Sequence, residues 1–433
     1  MYRYFLAAFG LMLSIATQAQ DTLRLADAMA LGLEKNYGVV INRLNQAVLD
    51  NNTAYTWLNW MPEFSVDGGL NQRTQNVNLT FASGETQNRP GAGTFSVNAN
   101  AGLSYRLFEG FGKRYRIQLT ELAAENGQQG LETLMESTLA DVSDAYYALV
   151  VANNQIEVLE TNLALSRERV DLAQAQYEVG KSSKLEYLQA QVDYNTDSAL
   201  WLAQQEAVQS ASISLNVLLG QEPTTPLIPE STIPIDTNLV FETLRQGLLE
   251  NPQIEQQRNS QTQAEVASDQ ARTGLFPTLD ANVGYGYNFS DAEAGFVLQN
   301  QTFGLTYGLT ARWSLSGALD ARRLQENTNL QLQVAEATYG QLLLDLEGTL
   351  AQVYNVYQNQ QAALALEEQN VAVARENASI ALDRYRLGKS NALELREAQR
   401  NLVQAESRLL NVRYRIKQVE IELLRLSGQL LAE

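Results

Sequence analysis

Glu394 and Glu397 stand three residues apart in a proline-free stretch, a spacing that places two carboxylates on one helix face. Crowded carboxylates raise one another's pKa and attract multivalent cations. The plainer reading is a solvated charged face. Two tripeptides, Gly180-Lys181-Ser182 and Gly388-Lys389-Ser390, each offer a glycine suited to a left-handed helix end and a serine able to cap the helix that follows. Little other chemistry is on offer. The 433 residues include no Cys and no His, which removes thiolate and imidazole catalysis, Cys/His zinc sites and disulfides. No nucleophile–base cluster is visible, so no catalytic residue, cofactor or metal site is assigned. A net charge of −18 argues against a nucleic-acid partner, which needs basic surface.

The elements that carry these residues occur twice. GLEKNYGVV at 32–40 returns as GLLENPQIE at 247–255, and at the same offset of 215 Pro62 maps to Pro277 and Gly69 to Gly284. Further on, YEVGKSSKLEYLQAQ at 177–191 returns as YRLGKSNALELREAQ at 385–399, an offset of 208. Two long units in the same order indicate a duplicated module rather than a short-period solenoid.

Prolines fall at 62, 90, 223, 226, 229, 234, 252 and 277, leaving 91–222 and 278–433 free of them. A proline inside a helix costs about 3 kcal/mol, so long helices belong in those gaps. A seven-residue seam runs through Met135, Val142, Leu149, Ile156, Leu163, Val170 and Tyr177; its counterpart is Leu343, Leu350, Tyr357, Leu364, Val371, Ala378 and Tyr385. After the turns come Tyr187, Tyr194, Trp201, Val208 and Leu215, and then Leu395, Leu402, Leu409, Ile416 and Leu423. A strict heptad predicts left-handed supercoiling. A single helix over 113–179 would reach roughly 100 Å at 1.5 Å per residue.

Each repeat also holds two segments of period-two alternation. Phe95, Val97, Ala99, Ala101, Leu103, Tyr105 and Leu107 share one face; the residues between them include Ser96, Asn98, Asn100, Ser104 and Arg106. The segments 279–289 and 303–315 alternate likewise, and 64–70 is a shorter partner. Such segments, edged with aromatics, are the signature of a membrane barrel strand. The chain also opens with Arg3, an apolar run over 5–15 and the small residues Thr17-Gln18-Ala19, which predicts an export signal cleaved after Ala19. No segment has about 18 consecutive apolar residues, so no transmembrane helix is expected.

These observations predict a signal peptide at 1–19, a first repeat at 20–220, a Pro-rich linker at 221–237 and a second repeat at 238–429. Strands are expected at about 64–73, 94–108, 279–289 and 302–315, and long helices at about 110–180, 183–219, 317–387 and 391–427. The polar stretches 71–94 and 290–301 are expected as exposed loops. Each repeat reads helix, strand, strand, long helix, turn, long helix. Four strands cannot close a barrel, and an open edge cannot sit in lipid. Several copies must therefore complete one wall; three would give twelve strands.

The order of elements, the Asn-containing helix breaks, Pro62 and Pro277 before strands one and three, and the paired Y-x-x-G-K-S turns resemble the outer-membrane efflux factor family typified by TolC. The likeness covers essentially the whole chain after the export signal. It implies a mainly α fold with a transmembrane β-barrel: a homotrimer with a 12-stranded barrel in outer-membrane lipid and a long periplasmic α-helical barrel. It further implies a passive export duct, not an enzyme, that serves a tripartite efflux or type I secretion system. The implied partners are a periplasmic adaptor (membrane fusion) protein and an inner-membrane pump or ABC transporter. By the same resemblance, Glu394 and Glu397 would form an acidic ring at the pore entrance, and Glu186 and Tyr385 would take part in the hydrogen bonds that close it. The family's gate arginine falls at Ser390, with Lys389 beside it. Gly180, Lys181, Ser182, Gly388, Lys389 and Ser390 would form the adaptor-docking tips. A trimeric coiled-coil stalk or adhesin is the competing reading; it shares the heptads and the export signal but has no need of duplicated strand pairs.

Overall fold

The computed structural model describes residues 22–430, so the expected export signal lies outside the described residues. The chain forms two units. A helical unit holds the residues up to Asn42, Glu132–Asn251 and those from Asp345; a strand unit holds Arg43–Leu131 and Pro252–Leu344. In chain order the elements are α1 (Leu25–Lys35), α2 (Tyr37–Ala54), β1 (Glu63–Thr80), β2 (Thr86–Phe108), α3 (Gly112–Glu178), α4 (Lys184–Leu218), α5 (Phe241–Leu248), α6 (Pro252–Arg272), β3 (Thr278–Ala292), β4 (Gln299–Arg312), α7 (Leu315–Arg386) and α8 (Ala392–Leu426). Among the described residues no helix is long and apolar enough to cross a membrane.

The strand unit contains one antiparallel sheet, ordered β1-β2-β3-β4. Paired residues lie on the same face, and here register sorts them cleanly. Phe64 pairs with Leu103 and Leu70 with Val97; Ala101 pairs with Tyr285 and Val97 with Phe289; Tyr285 pairs with Leu305 and Tyr287 with Phe303. The opposite face carries Asn98 beside Asn288, Ser104 beside Asn282 and Asn288 beside Thr302. There the Ser104 hydroxyl donates to Asn282 Oδ1 at 2.9 Å, and Arg106 meets Asp280 at 2.9 Å. The expected loop at 71–94 is different: β1 and β2 continue past the sheet as a two-stranded ribbon to a turn at 81–85, with a bulge between Gln75 and Val77. Alternation stops there because most ribbon residues are exposed on either face, Ala92 and Gly93 at its base excepted, while the backbone ladder needs no apolar side chains. The second expected loop shortens to 293–298.

In the helical unit much of the heptad seam is interior, although Tyr177 at the end of α3 is exposed. Val142, Leu149, Leu215, Leu350, Tyr357, Leu395, Ile416 and Leu423 are buried. The two Asn-containing breaks have one purpose. Asn36 Nδ2 donates to the carbonyl of Leu218 at 2.9 Å, and Asn251 Nδ2 donates to Leu426 at 3.0 Å. Each amide thus satisfies an orphan carbonyl at the end of a long helix from its own repeat. Gly220 (φ 63°) and Gly428 (φ 66°) end those helices in the left-handed region. The linker is tied down rather than loose. The Tyr146 hydroxyl donates to Leu23 O at 2.9 Å and accepts from Glu230 N at 3.2 Å, and Tyr357 donates to Asp236 O at 2.6 Å.

Candidate functional site

Both turns between long helices are built alike. Gly180 (φ 74°) and Gly388 (φ 69°) take the left-handed conformation that ends α3 and α7. Lys181 N donates to Gln176 O, and Lys389 N donates to Arg384 O, each at 2.8 Å. The helix caps fall one residue later than the sequence reading placed them. Ser183, not Ser182, accepts from Glu186 N at 3.3 Å, and Asn391, not Ser390, accepts from Glu394 N at 2.8 Å. The glycine and lysine use two residues to reverse the chain, which pushes the extended cap residue to the fourth position of the turn. Lys181 and Lys389 are left exposed at the tips.

Ser390 instead donates its hydroxyl to the Glu394 carboxylate at 2.7 Å, and Arg384 pairs with the same carboxylate at 3.2 Å. Glu394 also sits in the first turn of α8, where the helix dipole favours negative charge. Glu397 pairs with Arg400 at 2.5 Å. Both acids are half-exposed, and each has a cation from its own chain beside it. Tyr385 is buried in the α7–α8 seam with Ala378, Ala381, Leu395 and Ala398. Burial pushes its hydroxyl up; the Arg169 charge opposes this, and the Glu186 charge adds to it. Among the described residues no hydrogen bond joins Tyr385 to Glu186.

What sequence reading missed is a buried ionic cluster beside that seam. Arg169 of α3, 2% exposed, pairs with Asp193 of α4 at 2.5 Å. Arg396 of α8 grips Asp197 of α4 with two hydrogen bonds, 2.7 and 2.9 Å, and lies 3.9 Å from Asp193. The Ser166 hydroxyl of α3 donates to Asp197 as well. Two cations and two anions leave the cluster neutral, the condition under which charges tolerate burial. It joins the α3–α4 pair of the first repeat to α8 of the second. Nearer the surface, Arg386 of α7 reaches Glu168 of α3 at 2.7 Å across the same divide. A signal was present: Asp193 and Asp197 stand four apart on one face of α4, next to the seam residue Tyr194, and Arg396 follows the seam residue Leu395.

A separate buried acid makes the helical unit sensitive to pH. Glu136 of α3 is 3% exposed, and loss of solvation pushes its carboxyl up to about 7, from 4.5. Arg425 of α8 opposes the rise and Glu132 of α3 adds to it; Arg425 is itself held in two hydrogen bonds by Glu422. A raised folded-state pKa means that the fold favours the protonated form. Below pH 4.5 there is no penalty; stability is lost as pH rises through 7. Glu136→Gln is expected to raise the melting temperature at pH 8 by about 2–4 °C and to leave it unchanged below about pH 4, where both states are protonated, as read by circular dichroism.

The chain matches the outer membrane efflux protein family over residues 33–221 and 243–429. It is 24% identical over 379 residues to Protein CyaE of Bordetella pertussis, which covers 84% of this chain and 79% of that one. It is 26% identical over 383 residues to the toluene efflux pump outer membrane protein TtgC of Pseudomonas putida, covering 85% and 75%. Among solved structures, the outer-membrane channel OprN superposes with a TM-score of 0.74 at 18% identity, over 94% of this chain and 90% of that one. The CmeC outer membrane channel of Campylobacter jejuni gives 0.75 at 15% identity, over 94% and 85%.

Proposed function

Because this chain belongs to the outer membrane efflux protein family, and so acts in the outer membrane of a Gram-negative cell, we propose that three copies assemble into one continuous export duct. The observation that carries this reading is the sheet: four strands, apolar on one face and polar on the other, with β1 and β4 each leaving an edge unpaired. Unpaired backbone edges are not tolerated in hydrocarbon, and the smallest membrane barrels need about eight strands. Three sheets give twelve. The apolar faces meet lipid, and the Asn, Ser, Thr and Gly faces line a water-filled lumen.

The helical unit supports the same reading. Besides its buried seam, α7 carries a second row at heptad spacing, Leu366, Val373 and Ile380, which Leu387 continues just past the helix end, and all four are exposed. On α4, Leu185, Leu188 and Val192 repeat the pattern and are exposed too. Two unused heptad seams on one chain suit a closed ring of helices, each copy offering one seam to the next. The helical ring then stands in the periplasm. The turns with Lys181 and Lys389 dock a periplasmic adaptor, which couples the duct to an inner-membrane pump or ABC transporter. The duct does no chemistry; the pump supplies the energy. The cluster of Arg169, Asp193, Asp197 and Arg396 holds the helix pairs together at rest and yields when the tips untwist, with Tyr385 and Glu186 beside it.

Glu394 and Glu397 are assigned to the pore entrance, where three copies make stacked carboxylate rings. Current through single channels in planar bilayers tests this. The double variant Glu394→Ala/Glu397→Ala should require about tenfold more hexamminecobalt for half block. An unchanged blocking concentration removes both residues from the entrance. Arg400→Ala, which frees Glu397 from its own cation, should shift block the opposite way.

A further inference from the structure

The internal duplication fixes how one copy's β4 meets the next copy's β1. Glu63 pairs with Ser104 in the first hairpin and Thr278 with Arg312 in the second. The first strands are thus related by 215 residues and the second strands by 208, the same two offsets that relate the repeats elsewhere in the sequence. The β2–β3 pairing, which joins the end of one repeat to the start of the next, is therefore the internal image of the junction between two copies. Resting on the channel reading above, we propose that β4 pairs antiparallel with β1 of a second copy in the register of β2 with β3, so that Arg312 lies opposite Asp67 and Leu309 opposite Leu70.

Three features that played no part in the mapping agree with it. First, Ser104 and Asn282, hydrogen-bonded across β2–β3 at 2.9 Å, correspond to Arg312 and Asp67. The polar pair becomes a pair of opposite charges, and among the described residues neither Arg312 nor Asp67 has an ion-pair partner. Second, at this level of the polar face an asparagine faces a glycine in both the β1–β2 and the β2–β3 contact, while in β3–β4 Thr306 stands opposite Gly284. A Cβ on Gly69 would lie 2.7 Å from Asn98 Oδ1, and one on Gly286 would lie 2.7 Å from Asn100 Oδ1. The mapping sets Asn71 of the second copy opposite Gly308, whose Cβ position meets nothing within 4 Å. Third, faces are conserved: Leu309 meets Leu70 and Ala311 meets Gly68 on the apolar side, while Thr310 meets Gly69 on the polar side. A slip of one residue would turn lumen side chains into lipid, and a slip of two would part the charges.

The absence of cysteine in the native chain makes thiol crosslinking free of background. A disulfide needs Cβ atoms about 4 Å apart, which directly opposed residues meet and diagonal ones at about 7–8 Å do not. Outer membranes carrying Leu70→Cys/Leu309→Cys, oxidised with copper phenanthroline, should give covalent dimers and trimers on a non-reducing gel. The yield should exceed by at least fivefold that of Gly68→Cys/Leu309→Cys or Gln72→Cys/Leu309→Cys. A higher yield from either shifted pair overturns the register and leaves the channel reading standing. Crosslinks from none of the three, with the unmodified chain monomeric in mild detergent, would sink both. A charge exchange gives a second readout. Asp67→Arg and Arg312→Asp should each lower the temperature at which the oligomer dissociates, and the double exchange should restore it; failure of the double exchange to restore it counts against the pair.

Discussion

Asp197→Ala should cost the helical unit about 3–5 kcal/mol and raise the resting conductance of the channel. The Arg396 guanidinium makes both of its short hydrogen bonds to this carboxylate, and the Ser166 hydroxyl points to it as well. Removing the acid leaves a half-buried cation facing only Asp193, which Arg169 already occupies at 2.5 Å. The neutral cluster becomes a cationic one in a low-dielectric seam, and the cheapest relief is for α8 to move away from α3 and α4. Thermal unfolding followed at 222 nm in detergent measures the stability loss; single-channel recording measures the opening. Arg386→Ala is the control. It breaks an exposed pair with Glu168, worth at most about 1 kcal/mol. If both variants melt together, the buried cluster does not hold the helix pairs. If Asp197→Ala melts early but conducts normally, the cluster stabilises the unit without acting as a latch.

Leu305→Arg should abolish assembly in the outer membrane, whereas Thr302→Arg should leave it intact. The two residues are three apart on β4 and both exposed in the single chain. They differ in face. Leu305 pairs with Tyr285 on the apolar side, and Thr302 pairs with Asn288 on the polar side. An arginine near the bilayer midplane costs a barrel about 2–4 kcal/mol, and a trimer meets that cost three times. An arginine in a water-filled lumen keeps its hydration. Migration on an unboiled gel and recovery in the outer-membrane fraction read both outcomes. Failure of Thr302→Arg with assembly of Leu305→Arg would mean that the two faces have been assigned to the wrong sides, and equal assembly would mean that lipid does not cover either face.

The helical seam was legible in the sequence because burial leaves a local trace. A heptad position in α7 is apolar whether or not its partner is known, so Leu350, Tyr357 and Tyr385 could be named before any contact was seen. The strand faces were legible for the same reason, through alternation. The ribbon formed by residues 74–80 and 86–93 was not, because it is held by backbone groups that every residue carries. The cap positions slipped by one because serines stand at both 182 and 183, and only the turn geometry chooses between them. Asn36 and Asn251 were visible as breaks, but the carbonyls they serve lie 182 and 175 residues away.

By itself the sequence determined the duplication, the two families of elements, the inward seam and the apolar and polar faces of the sheet. These follow from period and composition, which each segment expresses on its own. Only the tertiary structure decided which charges are buried together. Arg169 and Arg396 gain their buried partners only when α3, α4 and α8 pack: the spacing of Asp193 and Asp197 and the place of Arg396 beside the seam are local, but a pairing across 24 or 199 residues is not. It likewise decided which apolar rows stay uncovered. Leu366, Val373, Ile380 and Leu387 have the same spacing as the buried seam, and a helix is symmetric enough that only its neighbours determine which row faces inward.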